Sequence, residues 1–337
     1  METDYIAKMK GTIMFKEINQ SPEAVKKTLE SARQECYYVS ELLKKSSYVY
    51  IVGSGTSYHA GMVLQMGLLR KGIPAIMAKA PEFSHYLPLN RNTEVTAILI
   101  SQSGESRDIL DSLNAAKEKG FSTVCITNTR DSSLSVGSDI SIVTEAGAER
   151  ALAATKTFAT ALAAIELIAR ELDGTQSEDD YGLQAILMNY LDKNTENALK
   201  FAAAVRDKVV VLGNGYLHAL ALEGALKFKE TATIETEAYP IREYLHGPIQ
   251  SLNAETTLIL LRWPGEEVDT VLEQIRKQTA SIIRIGFGED DDIKFEPVPV
   301  NQMPALFALP LQLMANYKSV SLGRDPDHPQ HLTKVVK

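Results

Sequence analysis

The sequence predicts an α/β protein of two tandem doubly wound domains, each a parallel sheet with helices on both faces, preceded by an N-terminal helix. Three observations predict it. Apolar runs of strand length alternate with amphipathic segments of helix length. The pattern then repeats: "YVYIVGSGTSY" (48–58) and "KVVVLGNGYLH" (208–218) both close an apolar run on Gly-x-Gly, "EVTAILIS" (94–101) pairs with "ETTLILLR" (255–262), and "STVCITN" (122–128) pairs with "SIIRIGF" (281–287). The runs are rich in Val, Ile and Leu without polar alternation, which suits parallel strands covered on both faces and joined by right-handed crossovers.

Taken in order, the first element is a helix. Ser21 and Pro22 read as its N-cap and first turn. Val25, Leu29, Ala32, Cys36, Val39 and Leu43 follow at alternating steps of four and three, a core-facing stripe too short for a coiled coil. The first domain then runs strand, helix, strand, helix, strand. Its second helix starts near Ser106 and turns Ile109, Leu110, Leu113 and Ala116 inward. A further helix, from Thr155 to about Leu172, carries Phe158, Leu162, Ile165, Ala169 and Leu172 at helical spacing, and the acidic "LDGTQSEDDYG" (172–182) reads as a linker. The divisions are an N-terminal segment (1–44), a first domain (45–190), a second (191–325) and a C-terminal tail (326–337).

The chain has 337 residues, enough for two cores, with 45% hydrophobic and 23% charged residues, ordinary for a globular protein. A net charge of -8 argues against nucleic acid as the partner, because phosphate backbones select basic faces. The two cysteines, Cys36 and Cys125, lack metal-ligand spacing, so neither a disulfide framework nor a metal site is expected. With no long apolar run and no signal-peptide core, the sequence reads as cytoplasmic with no membrane contact.

Ligands of open parallel sheets bind beyond the carboxyl ends of the strands. "GSGTS" (53–57) and "SQSGES" (101–106) fall at two such ends. Serine hydroxyls, a glycine backbone and the unpaired N–H groups of a helix start can surround a phosphate without any cation. The second repeat has "RWPGEE" (262–267) at the corresponding place, so one anion site is expected, in the first domain. No third glycine follows Gly53 and Gly55 at dinucleotide spacing, and no GxxxxGK[ST] occurs, so neither a nicotinamide cofactor nor triphosphate hydrolysis is supported.

A second constellation is "LEGALKFKETATIETEAYPIREYLHGP" (222–248). On a helix Glu223, Lys227 and Glu230 form one stripe, with Ala221, Ala225, Phe228 and Ala232 opposite. Read alone, the stripe is a solvated face with a salt-bridge ladder, and His246 is an ordinary turn histidine. Read as chemistry, Glu230 is a carboxylate with a lysine beside it, placed to move a proton.

Taken together, "GSGTSYHAG", "SQSGESRD", "AGAERALAATKTF" (146–158), "ALEGALKFKETATIETEAY" (221–239), "LHGP" and "LTKVVK" (332–337) resemble the sugar isomerase (SIS) domain family. The likeness is strongest to the isomerase half of glutamine–fructose-6-phosphate amidotransferases, and it runs through both domains in order. It implies flavodoxin-like αβα sandwiches and an aldose–ketose enzyme for a phosphorylated amino sugar, needing no cofactor and no metal. It further implies that Gly55, Thr56, Ser57, Ser101, Gln102, Ser103 and Ser106 hold the sugar phosphate, with Leu152, Ala154 and Thr333 also at the sugar. Glu230 then matches the base and Lys227 and Glu223 a charged pair beside it. His246 matches a ring-opening histidine donated by a second subunit of a homodimer, and Lys334 a tail lysine over the sugar.

Ala154 stands where these amidotransferases carry a serine, Ser54 replaces a cysteine and Ser106 a threonine, which leaves the identity of the sugar open. The chain opens METDY, with no cysteine before Cys36 to serve a glutaminase. The expected reaction is therefore glucosamine 6-phosphate plus water to fructose 6-phosphate and ammonia. The alternatives are amidotransfer with ammonia from a separate glutaminase subunit, an enzyme for another phosphorylated amino sugar or fructosamine, and a non-catalytic sugar-phosphate sensor.

Overall fold

The computed structural model describes residues 2–86, 94–174, 182–266, 268–278 and 281–334. Its elements are α1 (Glu2–Gly11), α2 (Ile13–Ser31), α3 (Arg33–Leu43), β1 (Tyr48–Gly53), α4 (Thr56–Arg70), β2 (Ala75–Lys79), α5 (Ala80–Tyr86), β3 (Val95–Ile100), α6 (Arg107–Glu118), β4 (Ser122–Thr127), α7 (Ser133–Gly137) and β5 (Ile140–Val143). They continue with α8 (Lys156–Asp173), α9 (Gly182–Ala203), β6 (Lys208–Leu212), α10 (Tyr216–Lys227), β7 (Glu235–Tyr239), β8 (Thr256–Leu261), α11 (Asp269–Arg276), β9 (Ile282–Gly286), β10 (Ile293–Lys294) and α12 (Met303–Ser321).

Each half forms a five-stranded sheet whose strands, among the described residues, all pair parallel, in the orders β2-β1-β3-β4-β5 and β10-β9-β8-β6-β7. Both orders are the flavodoxin-like 2-1-3-4-5, and both reverse direction between the first and third strands, where a crevice opens for ligands. The expected two doubly wound domains are present. The strands not foreseen, β2, β5, β7 and β10, are the four sheet edges. Edge strands are exposed on part of their length, as in the buried-exposed-half-buried run of Ala75–Lys79, and so lack the continuous apolar run that marks a central strand.

The strands divide their side chains by the period of two. In the first sheet Tyr50, Val52, Ala97, Leu99 and Cys125 join Phe83, Ile109, Leu113 and Leu134 of α5, α6 and α7 in one core. In the second, Val210, Leu212, Leu258 and Leu260 meet Val271, Leu272 and Ile275 of α11 together with Ile241 and Tyr244. The other face of that sheet is covered by α10, which packs on β6, β7 and α12.

The N-terminal stripe is buried as expected, Val25, Leu29, Ala32, Cys36, Val39 and Leu43 all being at most 2% exposed. Ser21, however, is no N-cap, and Pro22 lies inside α2. The helix reaches back to Ile13 because Met14 and Ile18 extend the buried stripe by two turns. Burying two such side chains is worth about 1.5–3 kcal/mol each, enough to offset the roughly 3 kcal/mol that an interior proline costs. Asp327 fixes this start, its two carboxylate oxygens accepting from the Ile13 and Met14 amides at 2.8 Å each.

The chain separates into two compact units. One comprises Met1–Asn19, Arg150–Ala153 and Ile186–Leu332; the other Gln20–Glu149, Ala154–Ala185 and Thr333–Lys337. Neither unit is contiguous, and each is described by itself below. Most of the acidic stretch at 172–182 lies outside the described residues.

Candidate functional site

In the unit built on the first sheet, the loops after β1 and β3 flank the switch point. Gly53 leaves no room for a side chain, since a Cβ there would sit 2.9 Å from the Ser57 carbonyl carbon. Gly55 caps α4 with φ +52° and ψ −127°, a conformation open to glycine, and so brings the Thr56 and Ser57 amides to the helix start. After β3 the chain turns back on itself. The Ser101 hydroxyl accepts from the Gly104 amide at 3.1 Å, and the Ser103 hydroxyl accepts from the Glu105 amide at 3.3 Å. Ser106 then caps α6 by position, with extended backbone and no side-chain cap bond. The Glu105 carboxylate ties the turn to α7, accepting from the Ser133 amide at 2.7 Å and its hydroxyl at 2.9 Å.

These loops border a cavity of about 100 Å³ lined on its polar side by Ser54, Thr56, Ser57, Gln102, Asn128 and Thr157. Its apolar wall includes Ala60, Ala154 and Phe158. Of the residues expected to hold the sugar phosphate, Thr56, Ser57 and Gln102 thus line one cavity, together with Ala154, expected at the sugar. Ser101 and Ser103 shape the turn beside it.

Gly104 is the tightest point of this turn. It has φ +65°, and a Cβ would fall 2.2 Å from the Ser132 hydroxyl oxygen. Gly104→Ala is expected to destabilise this domain by about 1–3 kcal/mol, the usual cost of overpacking, and to weaken fructose 6-phosphate binding. Urea unfolding followed beside calorimetric titration checks both; unchanged binding would show that the turn does not shape the site.

Ala154, which lines this cavity, lies just before α8, and Glu149 stands upstream of it. Glu149 is buried, and its carboxylate accepts from the Thr155 amide (2.9 Å), the Thr157 amide (3.1 Å) and the Thr157 hydroxyl (2.7 Å), satisfying donors at the start of α8. Its Oε2 also accepts from Lys334 Nζ at 2.9 Å. In the other unit, the Glu17 carboxylate accepts from the amides of Arg150 (2.6 Å) and Ala151 (3.1 Å), and the Asp327 carbonyl accepts from Leu152 at 3.1 Å. Leu152 is therefore held by its backbone and lies outside the cavity lining, and Thr333 is exposed.

The second constellation belongs to the unit built on the second sheet. Lys227 is fully buried at the end of α10, with Nζ 3.2 Å from Glu223 Oε1 and 2.5 Å from Glu230 Oε2. The solvated-ladder reading is therefore overturned. This stripe lies inside the domain because α10 is covered by β6, β7 and α12 and is rich in alanine and leucine all round. Burial alone disfavours charge on Lys227, but the two carboxylates outweigh it and hold its pKa above the ordinary lysine value, so it remains an ammonium at neutral pH. Only Glu230 of the three reaches solvent, its side chain being 19% exposed.

Glu230 sits in a π-helical turn, Phe228–Ala232, continuing α10. Such turns insert an extra residue per turn and are frequent at functional sites. The turn ends on Thr233 at φ +50°, the one non-glycine with positive φ among the described residues. A β-branched residue there stores about 1–2 kcal/mol of strain, and the surroundings fix it. Thr231 donates its hydroxyl to the Lys227 carbonyl at 2.8 Å, and Ser319 of α12 donates to the Thr231 carbonyl at 2.7 Å. His246 is elsewhere on this unit, exposed at the end of a 3-10 turn (Glu243–His246) and followed by Gly247 at φ +139°.

The crevice of the second sheet is built differently from that of the first. Gly215 repeats the backbone of Gly55, with φ +58° and ψ −125°. Here, though, the Glu266 carboxylate bridges the two loops, accepting from the Asn214 side-chain Nδ2 at 2.6 Å and the Trp263 backbone N–H at 3.2 Å. The Trp263 indole donates to the Asn214 carbonyl at 2.9 Å. A side chain of the protein fills the place where the first domain offers hydroxyls.

Sequence reasoning missed Thr127, Asn128 and Thr144, which complete the cavity lining, and the role of Glu149. The available signal was "ITN" at the carboxyl end of a third strand. Glu149 gave none, because its partners lie eight and 185 positions away.

The model of the SIS domain matches residues 42–170 and 204–317. The chain is 35% identical to a glutamine–fructose-6-phosphate aminotransferase (isomerizing) of Pyrobaculum aerophilum and 33% identical to that of Aquifex aeolicus, over 96% of its own length in each case and 57% of theirs. It thus spans a little over half the length of these curated relatives. Among solved structures, it superposes on the C-terminal domain of glucosamine-fructose-6-phosphate aminotransferase from Francisella tularensis with a TM-score of 0.83 at 28% identity, covering 94% of this chain and 98% of that one. It superposes on glucosamine-6-phosphate deaminase from Thermotoga maritima with a TM-score of 0.81 at 26% identity, covering 96% and 99%. Duplicated sheets, a hydroxyl-lined switch point and matches spanning both halves agree: the chain belongs to the SIS domain family.

Proposed function

We propose that this protein is a phosphosugar aldose–ketose enzyme that converts glucosamine 6-phosphate and water to fructose 6-phosphate and ammonia. The observation that carries the reading is the Glu223–Lys227–Glu230 cluster, in which a buried ammonium is gripped by two carboxylates and only Glu230 meets solvent. A protein that merely binds sugar phosphate has no use for a carboxylate presented in this way. A base serving two adjacent carbons does.

In this reading the loops after β1 and β3 take the phosphate, with Thr56, Ser57 and Gln102 in the cavity wall and Ser101, Ser103 and Ser106 shaping or starting the turn and helix. His246, reaching the site from a second copy of the chain, opens the sugar ring. Glu230 then removes the proton from the second carbon of the open-chain amino aldose and returns it to the first carbon. That double-bond shift leaves an imine at the second carbon. Water adds to it, ammonia leaves, and the ketose is released. Lys227 keeps Glu230 oriented, and Lys334 brings positive charge to the sugar oxygens. Ala154 widens the wall by a hydroxyl relative to a serine there, room that suits an amino or substituted sugar. The site needs no metal for these steps.

The test is ammonia release from glucosamine 6-phosphate by the purified chain, coupled to detection of fructose 6-phosphate. Absence of both products across glucosamine 6-phosphate and a panel of phosphorylated amino sugars would overturn the reading. A second reading is favoured by the names of the curated relatives: synthesis of glucosamine 6-phosphate with ammonia supplied by glutaminase activity. Glutamine-dependent synthesis on mixing with a glutaminase, and none from free ammonia, would select it.

A further inference from the structure

We infer that Glu149 is a positioning residue that latches Lys334 to the wall of the phosphosugar cavity. This inference rests on the proposed function only for what Lys334 does there. The latch itself stands on the geometry.

Lys334 lies on a segment, 324–334, that forms no helix or strand. A four-carbon side chain on irregular backbone samples many positions, so a charge needed at one place must be held there. Glu149 supplies the hold. Its side chain is wholly buried, and Lys334 Nζ approaches Oε2 at 2.9 Å while itself 30% exposed. That same oxygen accepts from the Thr157 hydroxyl at 2.7 Å, and Thr157 lines the cavity. The other oxygen takes the Thr155 and Thr157 amides at 2.9 and 3.1 Å. The carboxylate is thus fixed by the start of α8 before the lysine arrives, and one carboxylate oxygen, bonded to both, links the ammonium to Thr157 of the cavity wall. A buried carboxylate with this many fixed donors is a rigid anchor, and a charge-assisted bond to it is directional. Two consequences follow. While the latch is closed the Lys334 ammonium is occupied by Glu149, which slows its reaction with reagents in solution. The same carboxylate also holds Thr155 and Thr157, so one anchor sets both the lysine and the start of α8, where Thr157 lines the cavity.

The test compares the wild-type chain with Glu149→Gln, Glu149→Asp and Thr157→Val. Acylation of Lys334 by an N-hydroxysuccinimide ester, read by mass spectrometry, is expected to rise several-fold in Glu149→Gln and less in Thr157→Val, while Lys156 and surface lysines keep their rates. With glucosamine 6-phosphate as substrate, kcat is expected to fall by about 10–10²-fold in Glu149→Gln, the range for misplaced groups, with partial rescue in Glu149→Asp. If Glu149→Gln fails to fold, Thr157→Val carries the labelling test. Unchanged Lys334 labelling in every folded variant, with turnover intact, overturns the latch and leaves the proposed function standing. Raised labelling in a chain that turns over no phosphosugar upholds the latch and overturns the proposed function instead.

Discussion

Glu230→Gln lowers turnover of glucosamine 6-phosphate by about 10²–10⁴-fold, the usual worth of a general acid–base group, with little change in the apparent affinity for the sugar phosphate. The amide is isosteric and still accepts from Lys227, so the π-helical turn and its bonds to Thr231 and Ser319 are retained. What is lost is the basicity of the carboxylate that takes the proton. Two measurements separate this from a folding defect. Exchange of the sugar's carbon-bound proton in heavy water, followed by NMR, should stop in the variant. Binding of fructose 6-phosphate, which the proposed function assigns to the hydroxyl-lined cavity, should persist. Undiminished exchange would remove Glu230 from the proton path.

Lys227→Met produces the largest loss of stability. Glu223 is 1% exposed, and its neighbour Lys227 is entirely buried. Replacing the ammonium with an apolar chain leaves two carboxylates close together without the cation that holds them, a change that costs about 3–5 kcal/mol. The urea midpoint of this domain falls accordingly. Adding Glu223→Gln to Lys227→Met should recover part of the loss, because the buried anion goes with its partner, whereas activity should stay low in both. If the single variant unfolds like wild type, the cluster is not closed as described. In the wild type Lys227 is held as an ammonium by its two carboxylates, so the cation is present throughout the neutral range.

The central strands were legible because each had to be apolar on both sides, and the repeat of Gly-x-Gly after β1 and β6 announced the duplicated plan. The four edge strands were not, since an edge needs only one buried face. Thr56, Ser57 and Gln102 were readable as a cavity wall because strand ends and helix starts carry them together. The burial of Lys227 was invisible: an acid–base stripe at helical spacing reads the same on a solvated helix as on one enclosed by α12, eighty or more positions later. Ser21 misled for a related reason, as a serine before a proline marks a helix start only if nothing upstream is buried, and Met14 and Ile18 are.

Glu266 has a consequence for how the duplicated plan is used. A carboxylate bonded across the loops of the second crevice is a built-in counter-charge, so an incoming phosphate there would meet like charge and an occupied seat. Titration with fructose 6-phosphate should therefore saturate at a single equivalent per polypeptide despite two halves of the same strand order. On the proposed function, one of the twin folds grasps the phosphate and the other supplies the base.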